Sequence, residues 1–407
     1  MKNKLVIYSP FNSLFGDNIW GVIARKPNPG RDKVIFIKDL LTIENVFIYN
    51  DELYNNSSAD FINRIPFLFL RKILIKLELY LWCRYYKIQY TKVKVINSIF
   101  DIEYKDLVLV SLHYLPKKNS LEKTNATKLI YASHFFYNIK ENCKKIKKLN
   151  NIYFLAEANI TKNSIFFRKF FGNNFQTYIL PFQLKKRFIK SSGWDERSPK
   201  CLALGTTHEL PYTLQTKEFI DFYGKKTWHY MRDDLYLAKN KLNELMNIKI
   251  ERFNEDLKTS KFKTINYLQN IFLLGRQKKY FSFDIVEAFN SHKIFISPEE
   301  RVGLPSINFV EGMSCGCAYI GIDSQIYRDL GLVKEKHFIS YDGTMNDLIS
   351  KLNYYSKNDN LLRDIAENGY NFVISNFNKN IVKKVFLNDI DIFYNTGTLT
   401  SSFLKNQ

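Results

Sequence analysis

Short apolar runs separated by longer polar stretches organise this chain. Six runs fall in the first half, at residues 5–8, 45–49, 107–111, 128–132, 152–155 and 177–180; five follow at 201–205, 271–275, 293–297, 317–321 and 337–340. Each is four or five residues long and nearly continuously apolar, the pattern of a parallel strand buried on both faces rather than of an alternating, half-wet one. Helix-length stretches separate most of them, which predicts an α/β fold. The polar run Lys190-Ser191-Ser192-Gly193-Trp194-Asp195-Glu196-Arg197-Ser198-Pro199 divides the two series and reads as a linker. The expected organisation is two Rossmann-like domains, 1–189 and 200–377, facing a central cleft, followed by a helix and tail over 378–407. In such sheets ligands sit outside the carboxyl ends of the strands.

One helical segment stands apart. Phe67, Leu70, Leu74, Leu77, Leu81, Tyr85 and Ile88 recur at spacings of three and four, one stripe of a helix. Lys72, Lys76 and Lys87 lie on another face, with Arg71, Arg84, Trp82 and Tyr86 nearby. Two readings stay open: a core helix with a basic outer side, or an amphipathic helix on an anionic membrane.

Composition narrows the class. A chain of 407 residues with 45% hydrophobic and 16% aromatic residues is globular and large enough for two cores. The formal net charge of +20 points to an anionic partner such as phosphorylated substrates or an acidic membrane, or simply to solubility. The charge is spread along the chain without a basic tail, which weakens a nucleic-acid reading. Five scattered cysteines, with no CxxC, argue for a reducing compartment and against a zinc site. The N-terminal apolar run is too short for a signal peptide, and no stretch of 18 apolar residues lacks charge. A cytoplasmic protein is expected, with contact to the inner face of a membrane as an option. Asp233-Asp234 and Asp389-Ile390-Asp391 are the only acid pairs that look like a metal motif; neither follows a strand, so both read as solvated surface and no metal is expected.

The densest chemistry lies in Pro298-Glu299-Glu300-Arg301-Val302-Gly303-Leu304-Pro305 and Glu311-Gly312-Met313-Ser314-Cys315-Gly316-Cys317. This reads as strand, glycine turn, helix, turn, strand. A helix N-terminus suits an anion such as a diphosphate, and carboxylates accept hydrogen bonds from sugar hydroxyls. The segment resembles the donor-binding region of GT-B glycosyltransferases, above all the large retaining family 4, with its acid, Gly-Leu-Pro turn and Glu-Ala-Met-Ala-x-Gly helix. Glu300, Gly303, Leu304, Pro305, Glu311, Met313, Ser314, Gly316 and Ile320 fall into that pattern. Ten residues separate Glu300 from Glu311 where the family has seven, so 306–310 carries three extra, and Ala318 replaces a proline. More faintly, Lys128–His134, Ile152–Lys162 and Leu180-Pro181 resemble the end of the family's first domain, and 378–394 its returning helix.

That resemblance implies a glycosyltransferase taking a UDP- or GDP-linked sugar, without cofactor or metal, to a glycan or lipid-linked acceptor, as in bacterial surface-polysaccharide assembly. It implies Glu311 at the donor ribose, with a helix-dipole role as the plainer alternative, and Glu300, with Glu299 competing, at the donor sugar. Gly205, Thr206, Gly275, Gly303, Leu304 and Pro305 become donor-side backbone. The family's Arg and Lys after the first strand of this domain are missing from Gly205-Thr206-Thr207-His208, so Arg276 or Arg232 would have to substitute; Lys279, near Arg276, is a further cation able to meet the diphosphate, and His229 with Arg232 could contact the donor or lie on a surface helix turn. His134 matches the family's catalytic-side histidine. His113 ends a neighbouring strand and is the acceptor-side candidate, though a lone histidine is more often a satisfied buried group. A catalytically degenerate GT-B protein and a basic polyanion binder are the competing expectations.

Overall fold

The computed structural model describes residues 3–8, 37–49, 65–85, 87–96, 98–112, 115, 120–253 and 283–403. The chain divides into two compact units, residues 1–183 with 379–405, and residues 184–378. Each is built on a parallel sheet, which bears out the α/β class.

The first unit has seven strands: β1 (Leu5–Tyr8), β2 (Val46–Tyr49), β3 (Lys94–Ile96), β4 (Leu107–Ser111), β5 (Thr127–Tyr131), β6 (Ile152–Ala156) and β7 (Gln176–Ile179), in the order β3-β2-β1-β4-β5-β6-β7. Central strands β1, β4 and β5 are buried along their whole length. Their apolar runs need cover on both faces, which the helices of a parallel sheet supply. The last helix, Lys379–Thr396, belongs to this unit: buried Asp389 accepts hydrogen bonds from the Tyr178 hydroxyl (2.7 Å) and from the Ser402 amide (3.0 Å) and hydroxyl (2.5 Å). Asp389 is therefore not the solvated acid that the sequence suggests. The tertiary pairing of β7 with the C-terminal segment requires an acceptor there.

The second unit has five strands: β8 (Ser198–His208), β9 (Met246–Phe253), β10 (His292–Ile296), β11 (Ala318–Ile322) and β12 (Ile339–Tyr341), in the order β12-β11-β10-β8-β9. Two strands escape the sequence pattern. β3 is a three-residue edge strand, and β9 alternates Met246, Ile248 and Ile250, all buried, with more exposed Asn247, Lys249 and Glu251. Edge positions do not demand an apolar residue at every place. The expected strand at 271–275 lies outside the described residues.

The stretch 190–199 is not a free linker. It belongs to the second unit, whose β8 already starts at Ser198. The buried Arg197 guanidinium donates to the carbonyls of Ser192 (3.0 Å) and Cys315 (2.8 Å), clamping the stretch to the turn before β11. All five cysteines are free and buried. Among the described residues no helix is long and apolar enough to cross a membrane.

Asp389→Ala leaves the buried Tyr178 hydroxyl without its acceptor and releases the exposed Ser402. A loss of about 2 kcal/mol is expected. Urea denaturation followed by tyrosine and tryptophan fluorescence checks it; an unchanged midpoint refutes the pinning role.

Candidate functional site

In the second unit the strand order reverses between β8 and β10: β9 follows β8 on one side, and β10 returns to the other. Such a reversal opens a crevice at the carboxyl ends of the two strands, where open parallel sheets bind ligands. Arg232, buried near the start of the helix Arg232–Leu237, places its guanidinium there. Nη1 donates to the carbonyl of Thr206 (3.1 Å), on β8, and Nη2 to that of Pro298 (3.3 Å), just beyond β10. Gly205 makes this approach feasible. Its φ is +141°, and a Cβ there would stand 2.8 Å from the guanidinium carbon. A side chain at 205 would displace the arginine as well as strain the backbone. The same charge, after burial, holds His208 below its ordinary pKa. Thr207 is bonded through its hydroxyl to the carboxylate of Asp233.

The loop after β10 is fixed from three directions. At its base the hydroxyls of Ser297 and Ser306 bond to each other (2.8 Å), and Asn308 donates to Ser297 (3.1 Å). Along its length it pairs with residues 227–230: the Tyr230 amide donates to the Glu299 carbonyl (3.0 Å), the Arg301 amide to the Trp228 carbonyl (2.6 Å), and His229 forms a backbone bridge with Glu300. Arg301 adds a bond from Nε to the Thr227 carbonyl (3.1 Å), with its guanidinium 4.9 Å from the Tyr230 ring centre. His229 thus sits in a backbone ladder rather than on a surface helix turn.

The third anchor is Glu299, which is 1% exposed. One carboxylate oxygen accepts from the Ile322 amide (2.9 Å) and from the hydroxyls of Tyr319 (3.1 Å) and Tyr327. This corrects the expectation that Glu299 competes with Glu300 for the donor sugar: its side chain turns into the interior and ties the loop to β11. Burial raises its pKa, against the hydrogen bonds from Tyr327, Ile322 and Tyr319. Glu300, Gly303 and Leu304 form the turn between these anchors. The Gly303 amide donates to the Glu300 carbonyl (3.0 Å), with Gly303 at φ +86°, and the Glu300 amide donates to the Leu304 carbonyl (2.9 Å). Leu304 and Pro305 are buried.

Glu311 lies within its helix rather than at the helix start that a dipole role would ask for. The helix is Asn308–Ser314, so Glu311 is its fourth residue, and it is buried. The three extra residues before it amount to nearly one helical turn, which moves the acid into the helix while keeping it on roughly the same side. Its carboxylate pairs with the Lys185 ammonium at 3.0 Å, with Arg187 contributing further positive charge. Burial nevertheless raises the Glu311 pKa; the two cations only oppose it. No sequence signal marked Lys185, which is 126 positions away from its partner.

His134 occupies the turn after β5 in the first unit, half-buried, at φ +47°, with its carbonyl accepting from the Tyr137 amide (3.2 Å). His113, Gly275, Arg276 and Lys279 lie outside the described residues. Among the described residues no group of three or more His, Cys, Asp or Glu side chains is arranged to hold a metal ion.

Comparison with known proteins assigns the class. Residues 267–382 match the family described as "Glycosyl transferase-like", a segment that contains the Glu299–Leu304 loop and the Glu311 helix. The enzyme class is glycosyltransferase. Among solved structures, the chain is similar to sucrose-phosphate synthase from Thermosynechococcus elongatus (12% identity, 97% of this chain and 100% of that one, TM-score 0.49). It is also similar to HepE from Anabaena in complex with UDP (10%, 96% and 100%, TM-score 0.49) and to a glycosyltransferase from Rickettsia africae (13%, 98% and 100%, TM-score 0.47). No curated protein matches the sequence.

Two predictions follow from these contacts. Because native Glu299 holds its proton more tightly than the unfolded chain, it favours folding below its ordinary pKa of 4.5, and that contribution fades as pH rises through the native value. Glu299→Gln, which keeps the accepting oxygen, therefore melts close to wild type near pH 4 and gains relative to it toward pH 7. A difference independent of pH in scanning calorimetry contradicts this. Lys185→Met strands a buried carboxylate and is expected to cost about 3 kcal/mol. Lys185→Met with Glu311→Gln recovers most of it in a double-mutant cycle, and strict additivity would remove the pairing argument.

Proposed function

We propose that the chain moves a sugar from a nucleotide-diphosphate donor to a glycan or lipid-linked glycan acceptor, in the assembly of a bacterial surface polysaccharide. The observation that carries the donor reading is the Arg232 guanidinium lodged over Gly205 where the strand order reverses, at the carbonyl ends of β8 and β10. A planar, always-charged donor fork fits a diphosphate, and a charge already fixed in place stabilises the leaving group without reorganising. Thr206 and Gly205 supply the adjacent backbone.

The remaining roles follow from position and resemblance. The turn Glu300–Leu304, rigid through Glu299, presents Glu300 to the donor sugar. Glu311, one turn into its helix, faces the donor ribose, with Lys185 and Arg187 setting its charge. In the transfer the bond from the sugar's anomeric carbon to the diphosphate oxygen breaks, the diphosphate leaves with the electron pair, and an acceptor hydroxyl bonds to that carbon while giving up its proton. His134 is the proposed catalytic histidine, His113 the acceptor-side one, and Gly275, Arg276 and Lys279 further donor groups. The cations take the part a metal plays elsewhere, so chelation is expected to leave the rate unchanged. HepE was solved with UDP and with UDP-glucose, which makes UDP-sugars the first donors to try. We place the reaction on the cytoplasmic face of a membrane that holds the acceptor.

A thermal-shift panel of UDP-, GDP-, CMP- and dTDP-sugars tests the donor site, since a ligand bound only by the native state raises the melting temperature. One nucleotide class is expected to raise it by several degrees, and Arg232→Ala to abolish the shift. A panel in which no nucleotide shifts the wild type overturns the donor reading and favours the degenerate protein.

A further inference from the structure

The helix Leu68–Tyr85 in the first unit is apolar on two opposite sides, and only one of them is covered. Its inner seam is Ile75, Glu78, Leu79, Trp82 and Cys83, all buried. The stripe expected from the sequence (Phe67, Leu70, Leu74, Leu77, Leu81, Tyr85, Ile88) is not that seam. Leu70, Leu77 and Tyr85 are exposed, and Leu74 and Leu81 half-buried. Advancing about 100° per residue, Phe69, Leu70, Ile73, Leu77 and Tyr80 share an outward arc of roughly 120° with Lys76 and Arg84. Phe69 is 77% exposed, and the other four apolar residues 42–45%. Tyr80 meets Tyr90 edge-on, ring centres 5.6 Å apart, which extends the surface to the short turn Tyr90–Lys92; Tyr90 is exposed as well.

Along this stretch of the sequence the charges are nearly all of one sign. From Ile65 to Phe100 the sequence has Arg71, Lys72, Lys76, Arg84, Lys87, Lys92 and Lys94 but a single acid, Glu78, and Glu78 is buried on the inner seam. A soluble face is expected to mix charges around isolated apolar groups. Here an apolar, aromatic arc stands exposed, with Lys76 and Arg84 as the charged residues that share it among the described residues of the helix. A second copy of the chain would set these cations against identical ones, so self-association is disfavoured. A bilayer with anionic headgroups offers both of the complements required: an apolar layer for the arc and negative charge for the cations.

We propose that this face docks the protein on an anionic lipid bilayer, with Phe69, Ile73, Leu77 and Tyr80 entering the headgroup boundary. The proposal deepens the lipid-side part of the reading above but needs neither donor nor acceptor. The test is flotation of the full chain with vesicles of phosphatidylcholine alone and with 30% phosphatidylglycerol (about one anionic lipid in three, so that each basic residue near the surface contributes on the order of 1 kcal/mol), at low and high salt. Wild type is expected to float with the anionic vesicles, and about tenfold less with neutral ones or at high salt. The triple variant Phe69→Ser, Ile73→Ser, Leu77→Ser and the pair Lys76→Glu, Arg84→Glu are each expected to weaken it about tenfold. Both replace exposed residues, so their melting temperatures and nucleotide shifts stay at wild-type values. Wild type that ignores anionic vesicles, variants that bind as well as wild type, or a concentration-dependent dimer that the triple variant abolishes would each overturn the proposal. A nucleotide shift without vesicle binding rejects the docking face alone; vesicle binding without a nucleotide shift rejects the donor site alone.

Discussion

The second unit is organised around a buried guanidinium that has to satisfy its donors with carbonyl groups. Arg232 reaches the Thr206 and Pro298 carbonyls only because β8 and β10 lie side by side with their carboxyl ends together, and only because residue 205 has no side chain. Leaving such a charge partly unpaired in the interior is costly. The strand order, the glycine and the arginine are therefore one requirement, and together they fix a positive charge at the place where this topology binds ligands.

The loop beside it obeys a related rule. An irregular segment near a sheet end must satisfy its own backbone groups, and this one does so by laddering with 227–230 and closing a turn at Gly303. Glu299 carries the heaviest constraint. Its carboxylate is the common acceptor for two tyrosines and an amide, so an acid that resembles a substrate ligand in the sequence serves to hold its neighbour, Glu300, in position. Glu311 shows the same division: a buried acid needs a cation beside it, and the half-buried Lys185 provides one.

The first unit shows the converse. Its sheet and C-terminal helix close around buried groups such as Asp389, whereas the helix Leu68–Tyr85 satisfies its inner side and leaves an outer apolar arc in water. Burial of apolar area drives both folding and association, so an arc that folding leaves uncovered remains available for association.

By itself the sequence determined the α/β class, ten strands of the two series (the one expected at 271–275 lies outside the described residues) and the Glu300–Leu304 turn with its glycine. Short, continuously apolar runs separated by helix-length stretches suit buried parallel strands, and a positive φ favours glycine; both are local constraints. It did not reveal β9, whose alternation is that of an edge, nor that 190–199 folds onto the second unit through Arg197. It read Phe67–Ile88 as one stripe, because an apolar helix does not say which of its sides the sheet takes. Only the tertiary structure decided which acid is structural, which basic residue meets Glu311, and which arginine stands at the ends of β8 and β10. Those pairings join residues as far as 126 positions apart, and the free energy of a buried charge depends on the partner beside it rather than on its neighbours in the chain.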